Sequence, residues 1–312
     1  MSATRESFSP WLRLFRLPNL LTVPGDPLAG FLLASAGLLA QPPRPLALAA
    51  AAGASLGLYA FGLILNDLTD LETDQRERPE RPLPAGEITV HQARMAAVAM
   101  ALSGLNLALV AGRAALYVGA ALAALIVLYN AALKRVRGAG ILALGLCRGL
   151  SLLLGVAAAR PEIFSSPGAV PAAAWIAAAG LTLYVAGFSA VAKREMEAEK
   201  ALGAARWLPF AALLPTLLAL ICAVTAQKRL DGLASTAYVF LMVMTLMRAW
   251  LLGGVLYRLQ PVPETVGGHI RNLLLVQGCF CAAAGTLGLP PAVLCVLLSV
   301  VFARLARRFY SS

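Results

Sequence analysis

Apolar stretches of about 20 residues, divided by short charged breaks, follow one another along almost the whole chain. About 20 residues in a helix, each rising about 1.5 Å, cross the hydrocarbon of a bilayer, and a helix satisfies its own backbone hydrogen bonds there. Ten such stretches stand at residues 14–40, 46–67, 90–111, 114–133, 139–159, 170–193, 207–226, 233–257, 266–287 and 290–306. Pro290-Pro291 either divides the last two or kinks one re-entrant element. Composition agrees: 60% of the 312 residues are hydrophobic and 13% charged, where soluble chains are about half apolar and a quarter charged. A soluble fold would lack the polar groups to cover itself. The expected fold class is therefore an all-α integral membrane protein, a bundle of nine to ten transmembrane helices in one polytopic domain spanning 1–312. Its halves run about 1–137 and 138–312, each with an acidic cluster after a span, a loose echo of a repeat.

The net charge of +11 could indicate nucleic acid, but most of the 26 Lys and Arg fall in the breaks, where topology explains them. No nucleic-acid partner is expected. With ten alternating spans most of the basic residues share one face with both termini, which the positive-inside rule makes cytoplasmic. Nine spans would put Arg304, Arg307 and Arg308 on the other side. The expected location is a bacterial cytoplasmic membrane. Met1–Pro10 is polar and leads into no clean signal-peptide core, so no processing is expected. Cys147, Cys222, Cys279, Cys281 and Cys295 lie in apolar stretches and read as reduced packing residues. His91 and His269 show no ligand spacing.

The second stretch ends NDLTDLETDQRERPERPLPAGEI. Asn66, Asp70 and Asp74 stand at i, i+4, i+8 and would stack on one helix face, with Asp67 beside them. Like charges so placed destabilise a helix unless a counter-ion relieves them, and carboxylate and amide oxygens suit Mg2+. Arg78 and Arg81 follow at once and supply the cations a bound diphosphate needs. The plainer reading is a solvated, proline-stopped helix end; its place at the end of an apolar span weighs against that, since charge there is expensive unless used or paired.

NDLTDLETD followed by RPERPLPAGEI resembles the NDxxDxxxD motif and RPxRPLPxG loop of the UbiA superfamily of intramembrane prenyltransferases. The order from RLPNLLTVPGDPLAG in the first stretch to YNAALKR after the fourth is also similar. The resemblance implies a UbiA-like bundle around a cavity open to the cytoplasmic face, with Asn66, Asp70 and Asp74 as Mg2+ ligands supported by Asp67. It implies that Lys134 stands beside the site, where the plainer reading of Lys134 and Arg135 is topology alone. Family members carry a second motif, DxxxD with a glycine four residues on. Here the sixth stretch ends AKREMEAEKALG: Glu195, Glu199 and Gly203 keep the register, but glutamates replace both aspartates. These two are read as a second metal or diphosphate site, against a helix end laced by surface pairs, and Lys193 and Arg194 as phosphate-binding or glutamate-pairing. The combination resembles a divergent, EboC-like branch.

Arg148 lies inside the fifth stretch and needs a partner, either a substrate or Asp26 of the first; Arg248, in the eighth, reads as a structural pair or cavity-lining residue. Together these residues lead to a Mg2+-dependent transferase with Asp70, Asp74, Glu195 and Glu199 as its catalytic carboxylates. It would move a prenyl group from an isoprenoid diphosphate to a small hydrophobic acceptor, aromatic or lipid-like, within the lipid bilayer. The alternatives are a relative that only binds or moves an isoprenoid product, or a transporter.

Overall fold

The computed structural model describes residues 9–35, 44–136, 138–196, 203–227, 231–254 and 262–310, with the side chains of 194–196, 262–263 and 308–310 excepted. Every regular element among the described residues is a helix. Each of the ten apolar stretches meets helix, but the first is not the continuous one expected over 14–40. It begins as three pieces, α1 (Pro10–Leu14), α2 (Leu17–Leu20) and α3 (Gly25–Ser35). The breaks have local causes. Arg16 takes a left-handed φ of 49° between α1 and α2, and Pro18 lacks the N–H a longer helix would need.

The chain continues through α4 (Pro45–Thr69), α5 (Leu71–Glu77), α6 (Val90–Ala111), α7 (Arg113–Ala131) and α8 (Ala139–Ala159). Then come α9 (Ala172–Met196), α10 (Leu208–Ala226), α11 (Gly232–Gly253), α12 (Val262–Ala282) and α13 (Leu289–Tyr310). Among the described residues eight helices are long and apolar enough to cross a membrane: α4, α6 to α11 and α13. The first element falls short because it is broken. The other exception, α12, carries Glu264, His269, Arg271, Asn272 and Gln277. Pro290 and Pro291 fall in the first turn of α13, where a missing N–H costs nothing, so they separate two helices.

The main apolar core lies where α3, α8, α9 and α12 meet. Two glycines decide how closely α3 and α8 pack: a Cβ on Gly30 would run into the Leu152 carbonyl, and one on Gly155 into that of Pro27. Outward-facing Leu102, Tyr117, Phe240 and Leu297 leave an apolar surface that suits lipid. Asp231 caps α11 through Ala234 N–H and accepts a hydrogen bond from Thr286; those donors hold its carboxyl below the ordinary range. A smaller cluster of Leu14, Ile64, Leu83 and Ile88 clamps α1 and the 78–88 loop onto the end of α4. That clamp builds the site.

Candidate active site at the mouth of a central cavity

The acidic motif does not form the uninterrupted helix expected from its spacing. The chain bends at Asp70 (φ −101°, ψ 7°) between α4 and α5. Hydrogen bonds nevertheless cross the bend, from Asp70 N to Asn66 O (2.9 Å) and Asp74 N to Asp70 O (2.8 Å). Thr69 accounts for the bend, since its hydroxyl donates back to Leu65 O and Asn66 O, both at 3.0 Å, and such back-bonding bends helices.

The bend separates the carboxylates. Asp67 and Asp74 turn inward and are only 6% and 4% exposed. Arg81 reaches back to both, 2.6 Å from Asp74 and 3.9 Å from Asp67, and Arg16 donates to Asp67 at 3.2 Å. Asp70 faces the other way, where Lys134 donates to it at 2.6 Å and to Thr69 Oγ1 at 2.7 Å. Each aspartate thus has a cation, which relieves the like-charge repulsion. Gly86, at φ +73°, turns the loop that carries Arg81, a conformation glycine alone takes without strain. Arg13 and Glu87 tie the same loop to α1. Arg78 is half-buried, and its side chain has no partner among the described residues.

Beside these ion pairs opens a cavity of about 330 Å³. Arg16, Asn66 and Asn130 line it on the side of the acidic motif; Leu122, Ile126, Phe188, Ile270 and Leu273 give it apolar walls. Asn130 is buried, with its Oδ1 3.5 Å from the Thr69 hydroxyl oxygen. Arg148 also lines the cavity, and the structure gives it the partner inferred for it. Its Nε lies 2.8 Å from Asp26 Oδ2, off the line a hydrogen bond needs, while Nη2 donates to Asp26 Oδ1 (3.1 Å) and Thr22 O (2.7 Å). Gln277 of α12 donates to the same two oxygens, both at 2.6 Å.

Of the second motif, Glu195 lies on α9 but its side chain, like that of Arg194, is outside the described residues, as is all of Glu199. Lys193 is half-buried in the final turns of α9. One and two turns earlier, Ser189 and Val185 line the cavity that Asn66 lines from α4. Both helices thus lead to one chamber. Sequence reasoning missed Arg16, counted there only as a topological charge, and Asn130, whose signal was its place beside Lys134 in YNAALKR. His269 is buried inside α12 against Tyr184 and Phe188.

The donor set of Asn66, Asp67, Asp70 and Asp74 is all hard oxygen, which suits Mg2+ and not a softer ion. In the ion-paired arrangement no three acidic or other ligand side chains among the described residues converge on one point. A metal ion would take carboxylate oxygens now held by Arg16, Arg81 and Lys134, leaving those cations for an anionic ligand. The residues fit that exchange.

The UbiA prenyltransferase family matches residues 27–260. The chain belongs to that family. Among relatives of this UbiA member are the digeranylgeranylglyceryl phosphate synthases of Methanoculleus marisnigri, 31% identical over 156 residues, and Ignicoccus hospitalis, 34% identical over 146. These matches cover 50% and 46% of this chain and 54% and 46% of the relatives, so the chain spans about half the length of the curated relatives it matches. A UbiA homologue from Aeropyrum pernix superposes with a TM-score of 0.66 at 19% identity, over 83% of this chain and 94% of that one. A UbiA homologue from Archaeoglobus fulgidus, bound to GPP and Mg2+, gives 0.56 at 17%, over 88% and 98%. The UbiA fold and multi-pass membrane residence follow.

Proposed function

We propose that this UbiA member transfers a prenyl group from an isoprenoid diphosphate to a small hydrophobic acceptor, with Mg2+ held by Asn66, Asp67, Asp70 and Asp74 and by the second motif's Glu195 and Glu199. One observation carries the reading: three aspartates, each ion-paired to a cation, stand on the helix end whose Asn66 opens, with Arg16, onto a cavity with apolar walls. That arrangement offers cations to a diphosphate and apolar walls to hydrocarbon. The naming of relatives as digeranylgeranylglyceryl phosphate synthases, and the GPP-bound homologue, support the same donor class.

The chain's own residues would divide the work as follows. Arg81, Arg16 and Lys134, released from the carboxylates, bind diphosphate oxygens and are joined by Arg78, Lys193 and Arg194. Bound Mg2+ supplies charge neutralisation for the departing diphosphate. The allylic C–O bond breaks with its electron pair leaving on the diphosphate, and fixed cations already in place stabilise that charge. The acceptor's nucleophilic atom bonds to the allylic carbon and gives up its proton. Leu122, Ile126, Leu273 and Phe188 keep water from capturing the cation first.

The deciding experiment uses the full chain in detergent with labelled geranyl diphosphate, with and without Mg2+ and with and without candidate acceptors, and follows binding and diphosphate release. Asp70→Ala should abolish Mg2+-dependent binding, and unchanged affinity would remove the acidic motif from the site. Glu195→Asp with Glu199→Asp should keep or raise turnover; collapse of the fold instead would make the pair structural. Binding without diphosphate release by the wild type would assign the chain to isoprenoid binding or movement.

A further inference from the structure

The inner side of the cavity is more polar than a hydrocarbon tail needs. Ser55 and Ser151 line it and are 2% and 4% exposed, their hydroxyls 2.6 Å apart. Arg148, 8% exposed, and Tyr59 line it with them. Ser55 lies 11 residues before Asn66 on α4, about 16 Å along the helix axis. Polar groups buried against a prenyl chain would go unsatisfied, which is costly.

The order of protons defines what this surface offers. Asp26, paired with Arg148, is a carboxylate and only accepts; it accepts from Arg148 and Gln277. Within the serine pair one hydroxyl donates to the other across the 2.6 Å contact. Whichever serine donates has used its proton there and presents an acceptor lone pair. Arg148 Nη1, with no acceptor among the described residues, presents a donor, and the Tyr59 hydroxyl stands one turn further along α4. The charges cancel, since Arg148 is matched by Asp26 and the other groups are neutral. An anionic head buried here would find no cation left unpaired.

Resting on the prenyl-transfer reading, we infer that Ser55, Ser151, Tyr59 and Arg148 form a subsite for a neutral hydroxyl group of the acceptor, either a phenol or an alcohol, and not for a carboxylate or phosphate. A hydroxyl both donates and accepts, which is the pair of roles this surface leaves open.

The test is calorimetric titration of the detergent-solubilised full chain, without donor, using three probes: methylhydroquinone, its dimethyl ether and 4-hydroxybenzoate. Methylhydroquinone should bind at least about tenfold more tightly than the ether and more tightly than the carboxylate. Ser55→Ala should weaken methylhydroquinone by about tenfold while leaving geranyl diphosphate affinity unchanged; Ser55→Thr should restore it. Tyr59→Phe gives an independent reading should the serine variants fold poorly. Equal binding of diol and ether, tighter binding of the carboxylate, or tighter geranyl diphosphate binding by Ser55→Ala would each overturn the subsite. Failure of the wild type to bind geranyl diphosphate would instead sink the prenyl-transfer reading.

Discussion

Arg81 is the residue on which the site's electrostatics turn. It holds two aspartates that are almost wholly buried, and its loss leaves Asp74 without a described cation. An uncompensated buried charge is expensive, so Arg81→Ala should destabilise the fold by about 2–3 kcal/mol, read as a lower midpoint of thermal unfolding in detergent. Mg2+ should recover part of that loss in the variant and change the wild type less. No recovery would mean that Asp67 and Asp74 are structural anions and not metal ligands. The acidic residues themselves were legible because charge at the end of an apolar span is rare and NDLTDLETD is distinctive. Arg16 was not. Its role depends on a left-handed turn and on an approach to Asp67, 51 positions away, neither of which leaves a local pattern.

Among the elements, the bend between α4 and α5 and the loop after it act together. Spacing alone predicts one helix through Asp74, because i, i+4, i+8 takes no account of a threonine hydroxyl competing for the helix carbonyls. Lys134, from the short turn Leu133–Arg135 just after α7, holds that hydroxyl in place. The bend was therefore illegible from the motif alone. Gly86 has open space around it, so only its backbone resists a side chain. Gly86→Ala should cost about 1 kcal/mol through that positive φ and loosen the loop that carries Arg81. The expected outcome is several-fold weaker geranyl diphosphate binding with a small loss of thermal stability. Wild-type affinity would show that the loop's conformation does not set Arg81.

At the scale of the whole molecule, the apolar stretches located nearly every helix, since hydrocarbon leaves little freedom in the composition of a span. They were least informative for the two elements that carry polar work, the broken first one and α12. These two meet in the cluster of Thr22, Asp26, Arg148 and Gln277, which ties α3, α8 and α12 together. Asp26→Asn strips Arg148 of its counter-ion and should cost about 3–5 kcal/mol. Asp26→Leu combined with Arg148→Met should recover much of that stability, as replacing both partners by apolar groups often does. A double variant no more stable than Asp26→Asn would show that shape, not charge, holds the three helices. The polarity of α12 also bears on biogenesis. A segment with Glu264, His269, Arg271, Asn272 and Gln277 partitions poorly into lipid on leaving the translocon, so it should enter together with α13 as a hairpin. Because Gln277 grips Thr22 and Asp26, α3 then waits for a helix whose contact residue lies 255 positions beyond Thr22 before it can settle.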